Sequence, residues 1–169
     1  MQNEAERNEN IKKLGELIKD VKFAMLTTVE GDGSLRSRPM ASQQVEFDGD
    51  LWFFTGASSH KVHDIENNPQ VNVAFSDPND QNYVSMSGRA TLVRDQQKAE
   101  DLWNVFYRSW FPKGLDDPDL ALLRIEVDGA KYWDSPSSAV VHVYGLAKAM
   151  LTGTPLSPGD NEKLNLSNV

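Results

Sequence analysis

The sequence predicts a mainly β, α+β fold, a six-stranded antiparallel barrel with flanking helices, on three observations. Apolar residues alternate with polar ones in short runs, and turn-forming residues such as Glu30-Gly-Asp-Gly33 and Asp48-Gly49 separate those runs. The chain shows neither a βαβ rhythm nor a glycine fingerprint, which removes a doubly wound parallel sheet. Its 169 residues suit one domain with a hydrophobic core.

Ile11, Leu14, Leu17 and Ile18 recur at helical spacing and predict an amphipathic first helix. Strands are then predicted over Phe23–Val29, from about Ser34 to Phe47, and over Leu51–Thr55, the last apolar on both faces. Ser58-Ser59 opens a short helix from His60 to Asn67, which Asn68-Pro69 ends. Val71, Val73 and Phe75 mark a fourth strand, and Val84, Met86, Gly88, Ala90 and Leu92 a fifth. A helix from about Gln96 carries Leu102, Trp103, Phe106 and Trp110 on one side. Leu123, Ile125 and Val127 give the sixth strand, with Ala130–Asp134 as a last strand or the end of that one. From Gly153 the composition turns to Gly, Pro, Ser and Asn, so residues 1–152 read as the folded domain and 153–169 as a loosely ordered tail.

Lys and Arg total 17 against 25 Asp and Glu, a net charge of −8. So acidic a chain is a poor general binder of nucleic acid or of an anionic membrane, and any anionic ligand must meet a local cluster of cations. The absence of cysteine excludes disulfides, thiolate metal sites and cysteine nucleophiles. No apolar run approaches the roughly 20 residues of a membrane-spanning helix. The polar stretch Met1–Asn10 lacks the apolar core of a signal peptide, so a cytoplasmic protein is expected.

Two segments carry chemistry. Phe53-Phe-Thr-Gly-Ala-Ser-Ser-His-Lys61 sets a hydroxyl, two serines and a lysine at a helix N-terminus, where free N–H groups and the helix dipole attract phosphate. Taken alone, the same residues also read as a capped helix with a solvated lysine. Arg36-Ser-Arg-Pro-Met40 places two arginines on one face of a strand, and Pro39 implies an edge or an interruption there. An interrupted edge leaves backbone groups for a planar heterocycle; an ordinary edge with two surface arginines reads equally well. His60 and His63 sit three apart but lack a third ligand, so no metal is expected. Asp116-Asp-Pro-Asp119 reads as a solvated turn.

The stretch from Leu51 through Lys61 to Val73 resembles the flavin segment of the pyridoxamine 5′-phosphate oxidase superfamily, with its aromatic-Thr strand end, Ser-x-Lys phosphate site and Glu-x-Asn-Pro helix end. The wider pattern is similar to the general stress protein 26-like branch. Ser37-Arg-Pro-Met40, Tyr83-Val-Ser-Met-Ser-Gly88, Trp110-Phe-Pro-x-Gly114 with Asp116-Asp-Pro118, and Tyr132-Trp-Asp134 carry that likeness. The resemblance implies a split β-barrel that forms a homodimer with FMN at the interface, ahead of FAD or the deazaflavin F420. It implies that Arg38, Pro39 and Met40 line the isoalloxazine edge, that Phe54 and Thr55 lie along the flavin, and that Ser59 and Lys61 hold its phosphate. Arg36 would join the phosphate cluster, and Trp133 would arrive from the partner subunit.

The implied function is FMN-dependent redox of a small molecule; the alternatives are a flavin-storage or redox-sensing protein and a ligand-free dimeric interaction module. No catalytic acid or base is assigned. His60 stands where the oxidases carry an arginine, and Asp134-Ser-Pro-Ser-Ser138 replaces their substrate-gripping Arg-x-His-x-Arg, which argues against true pyridoxamine phosphate oxidation.

Overall fold

The computed structural model describes residues 4–134, 150 and 160–166. Helix α1 (Glu4–Ile18) lays Ile11, Leu14, Leu17 and Ile18 on the core, as their spacing predicts. Strands β1 (Phe23–Val29), β2 (Leu35–Ala41), β3 (Asp50–Gly56), β4 (Gln70–Asp77), β5 (Asn82–Val93), β6 (Leu120–Asp134) and β7 (Asp160–Asn165) form one antiparallel sheet. Helix α2 (His60–Asn67) joins β3 to β4, and α3 (Gln96–Leu102) follows β5.

Hydrogen bonding runs in the order β2-β1-β4-β5-β6-β3, with β7 also on β6. The terminal strands β2 and β3 are not paired with each other, so the barrel is split along that seam. Pro39 therefore sits on an edge strand, where its missing donor removes no ladder bond from a second neighbour. Ala130–Asp134 is not a separate strand but the far half of β6, whose near half pairs with β3 and whose far half pairs with β7. A register shift at Ser87/Gly88 leaves Asp128 as the extra residue of a bulge. Gly88 is required there, since a Cβ would stand 2.3 Å from the Glu126 carbonyl oxygen.

The sheet thus has seven strands rather than the expected six, and β7 lies inside the segment 153–169 expected as a loose tail. Leu164 and Leu166, 6% and 1% exposed, anchor that end of the chain in the main core. The helix expected to run from Gln96 to Trp110 is also shorter. Asn104 accepts the Phe106 N–H through its side chain and starts a separate 3₁₀ turn, Val105–Ser109. This break lets Leu102, Tyr107 and Phe111 join Phe54 and Leu122 in a second apolar cluster beside the seam. Among the described residues, no helix is long and apolar enough to cross a membrane.

Candidate functional site

Register decides what β2 presents. Arg36, Arg38 and Met40 pair with Thr28, Leu26 and Ala24, and so share the inward face of β1, while Ser37 and Pro39 face out. Met40 is buried in the core; Pro39 is exposed opposite Met25. Arg38, largely covered, reaches α2: its Nη2 donates to Asp64 Oδ2 at 2.9 Å and its Nη1 to Thr28 Oγ1 at 2.6 Å. Thr28 in turn donates to Asp64 at 3.1 Å, closing a buried triangle. Burial alone would raise the Asp64 pKa, but the hydrogen bonds from Arg38 and Thr28 outweigh it and hold the carboxylate below its ordinary range.

Arg36 is exposed and pairs with Glu30 at 2.9 Å, so its charge is already met by a carboxylate. His60 Nε2 lies 3.7 Å from both Glu30 and Asp64, and these three residues bring ligand atoms within 4.8 Å of one another. Both carboxylates are already neutralised by guanidinium groups, which makes this a poor seat for a cation. The grouping also differs from the His60–His63 pair, whose rings stand 6.4 Å apart.

Lys61 is the outlier among these charges. It is half-buried, and its Nζ donates to Ser59 Oγ at 3.2 Å; among the described residues no carboxylate forms a salt bridge with it. Burial first, then repulsion from Arg38, lowers its pKa, while Asp119 pulls it back up more weakly. Arg38 and Lys61 are therefore near enough for their charges to repel each other. Ser59 stands at the N-cap of α2 but makes no side-chain capping bond. Its hydroxyl instead meets Thr55 Oγ1 at 3.3 Å and the lysine. Ser59 keeps the N-cap position without a side-chain cap, and hydroxyls, ammonium and helix start gather around a positive charge. An oxyanion such as a phosphate is the group that would balance it.

Sequence reasoning missed the residue that shapes this loop. Asp119, read as part of a solvated turn, accepts from Ser58 N at 2.8 Å and Ser58 Oγ at 3.0 Å, and its carbonyl accepts from Ala57 N at 2.7 Å. Gly56 makes room for it, since a Cβ there would lie 2.5 Å from Asp119 Oδ2. The missed Asp64 had a faint signal: a carboxylate between the buried Val62 and Ile65 needs a cation, and the nearby strand offers two.

The remaining candidate residues lie elsewhere. Phe54 is 7% exposed, with its ring 4.5 Å from Tyr107 and 5.5 Å from Trp103, on the opposite side of β3 from Thr55. Its ring is thus packed in the second cluster instead of beside the Ser59–Lys61 group. Trp133 is 37% exposed at the far end of β6. Thr55 pairs with Ala121, so Trp133 is twelve positions further along the strand, up to about 40 Å at 3.3 Å per residue.

The model of proteins described as pyridoxamine 5′-phosphate oxidase like matches residues 9–157. General stress protein 26 of Bacillus subtilis is 30% identical over 114 residues, covering 62% of this chain and 74% of that protein. A solved structure of a general stress FMN/FAD binding protein from Xanthomonas citri is 30% identical with a TM-score of 0.67, covering 78% of this chain and 92% of the other. A general stress protein 26 candidate from Jannaschia sp. has a TM-score of 0.77 at 22% identity, covers 94% of this chain and 99% of the other, and shares the fold.

Proposed function

This chain belongs to the pyridoxamine 5′-phosphate oxidase-like family, and from that premise we propose that it binds FMN as a flavoprotein of the general stress protein 26 type. The observation that carries the reading is Lys61: half-buried, without a carboxylate partner, and pressed by Arg38. Lys61, Ser59 and the start of α2 would hold the phosphate, with Thr55 steadying the Ser59 hydroxyl. Arg38 acts as a fixed positive backing, since Asp64 and Thr28 hold both ends of its guanidinium. The edge strand at Pro39 and Met40 would border the ring.

FMN, when bound, supplies hydride or electron transfer to a small molecule; the protein supplies position and charge. The same reading takes the protein to be a homodimer. The outward sheet face exposes Met25 (42%), Tyr83 (42%) and Trp133 (37%), apolar surface that a partner subunit would cover. A flavin-storing or redox-sensing role without turnover is the second reading. The carboxylates around the start of α2 favour it, because Asp64 and Glu30 are each tied to an arginine and Asp119 accepts from the Ser58 N–H and hydroxyl. The test is the absorbance spectrum of the purified protein followed by mass spectrometry of the released ligand. A flavin spectrum with the mass of FMN is expected; a colourless protein that ignores added FMN overturns the proposal. Oxidation of NAD(P)H by the loaded protein then separates the enzyme from the storage reading.

A further inference from the structure

We propose that the hollow at the barrel's seam is a second ligand site that takes an uncharged, planar aromatic molecule. That this molecule is the reaction partner of the flavin rests on the FMN reading; that it binds does not. The hollow encloses about 480 Å³, within the range of small-molecule sites. One wall is the continuation of β2 beyond Met40, from Ala41 to Val45, and the other is the break between α3 and the 3₁₀ turn. The two walls thus begin where the proposed ring edge ends.

The chemistry of the lining selects the ligand. Phe23 and Phe106 meet edge to face at 6.5 Å, and each leaves half of its surface uncovered. Trp103 and Tyr107 complete an aromatic surface, and such rings prefer offset or edge-to-face contact with another ring. One polar handle is fixed among them: Gln43 Nε2 donates to the Tyr107 hydroxyl at 2.8 Å, and burial raises the phenol's pKa, so it stays neutral. Charge does not select an ion here. Lys22 and Asp101 contribute one charge of each sign, in contrast to the uncompensated cation at Lys61. A carboxylate or phosphate would lose its hydration against aromatic carbon without a dedicated partner. An uncharged amide or carbonyl on a flat ring meets both the rings and the Gln43–Tyr107 pair.

Isothermal titration of the full-length protein, with and without FMN, tests this with naphthalene-2-carboxamide and its anionic twin naphthalene-2-carboxylate. The carboxamide is expected to bind at least tenfold more tightly than the carboxylate. Phe106→Ser should weaken it at least fivefold, whereas Val105→Ser, exposed and outside the lining, should leave it unchanged. Equal affinity for the two compounds, indifference to Phe106→Ser, or no binding of the carboxamide overturns the proposal. FMN affinity, measured in the same protein, reports on the flavin reading separately: carboxamide binding without FMN binding sinks only that reading, and the reverse sinks only this one.

Discussion

Replacing Lys61 with Met keeps the bulk of the side chain and removes its charge, which isolates the ammonium's share of FMN binding. A charged hydrogen bond contributes about 1.5–3 kcal/mol. Lys61 is only half-buried, so water screens part of its field and the lower end applies, about 1.5–2 kcal/mol, or a Kd roughly ten- to thirtyfold weaker. Titration following flavin fluorescence gives the number, and riboflavin, which lacks the phosphate, gives the control. FMN affinity should fall while riboflavin affinity holds. The pH profile supplies a second reading. Binding should strengthen as the phosphate takes its second charge near pH 6. It should then weaken at alkaline pH as Lys61 deprotonates, at a lower pH than an ordinary lysine because burial and Arg38 depress its pKa. Equal losses for FMN and riboflavin, or no loss for either, would refute the assignment of Lys61 to the phosphate.

Other perturbations probe the supports of the site. Asp119→Ala releases the clasp on Ser58 and should cost FMN about 1 kcal/mol, roughly fivefold in Kd, with the melting temperature little changed. Arg38→Ala strands the buried Asp64 carboxylate and should destabilise the fold by about 3–5 kcal/mol in urea unfolding. Asp64 has a folded pKa below its unfolded value of about 3.9, so its contribution is full above that value and is lost as pH falls through the folded pKa. The stability gap between wild type and Asp64→Asn should therefore be constant near neutrality and shrink only in strong acid. Gly88→Ala should unfold or misregister β5 against β6, read by circular dichroism, because the obstruction is backbone.

The strands were legible where alternation was regular: Val71, Val73 and Phe75, or Val84 through Ala90, each turned one side chain in two to the core. Strand β7 escaped because only Leu164 and Leu166 alternate in an otherwise polar run, too short to distinguish from a tail. The break at Trp103–Asn104 escaped because aromatic periodicity continues across it, while the Asn104 capping bond that makes it is local and modest. Near the start of α2, the contacts of Ser59 with Lys61 and Thr55 were legible because the three residues are close in the chain. What sequence could not give was long-range pairing. Whether Arg38 or Arg36 would be consumed by a carboxylate depended on Asp64 and Glu30 folding beneath them. The ring of Phe54 depended on which cluster lay behind β3.

A crystal structure of the protein with FMN bound examines the account at its root. The phosphate is predicted within hydrogen-bonding distance of Lys61 Nζ and Ser59 Oγ at the start of α2, with the Arg38–Asp64 pair intact behind it. A flavin whose phosphate lies elsewhere, leaving Lys61 in contact with water alone, contradicts the account.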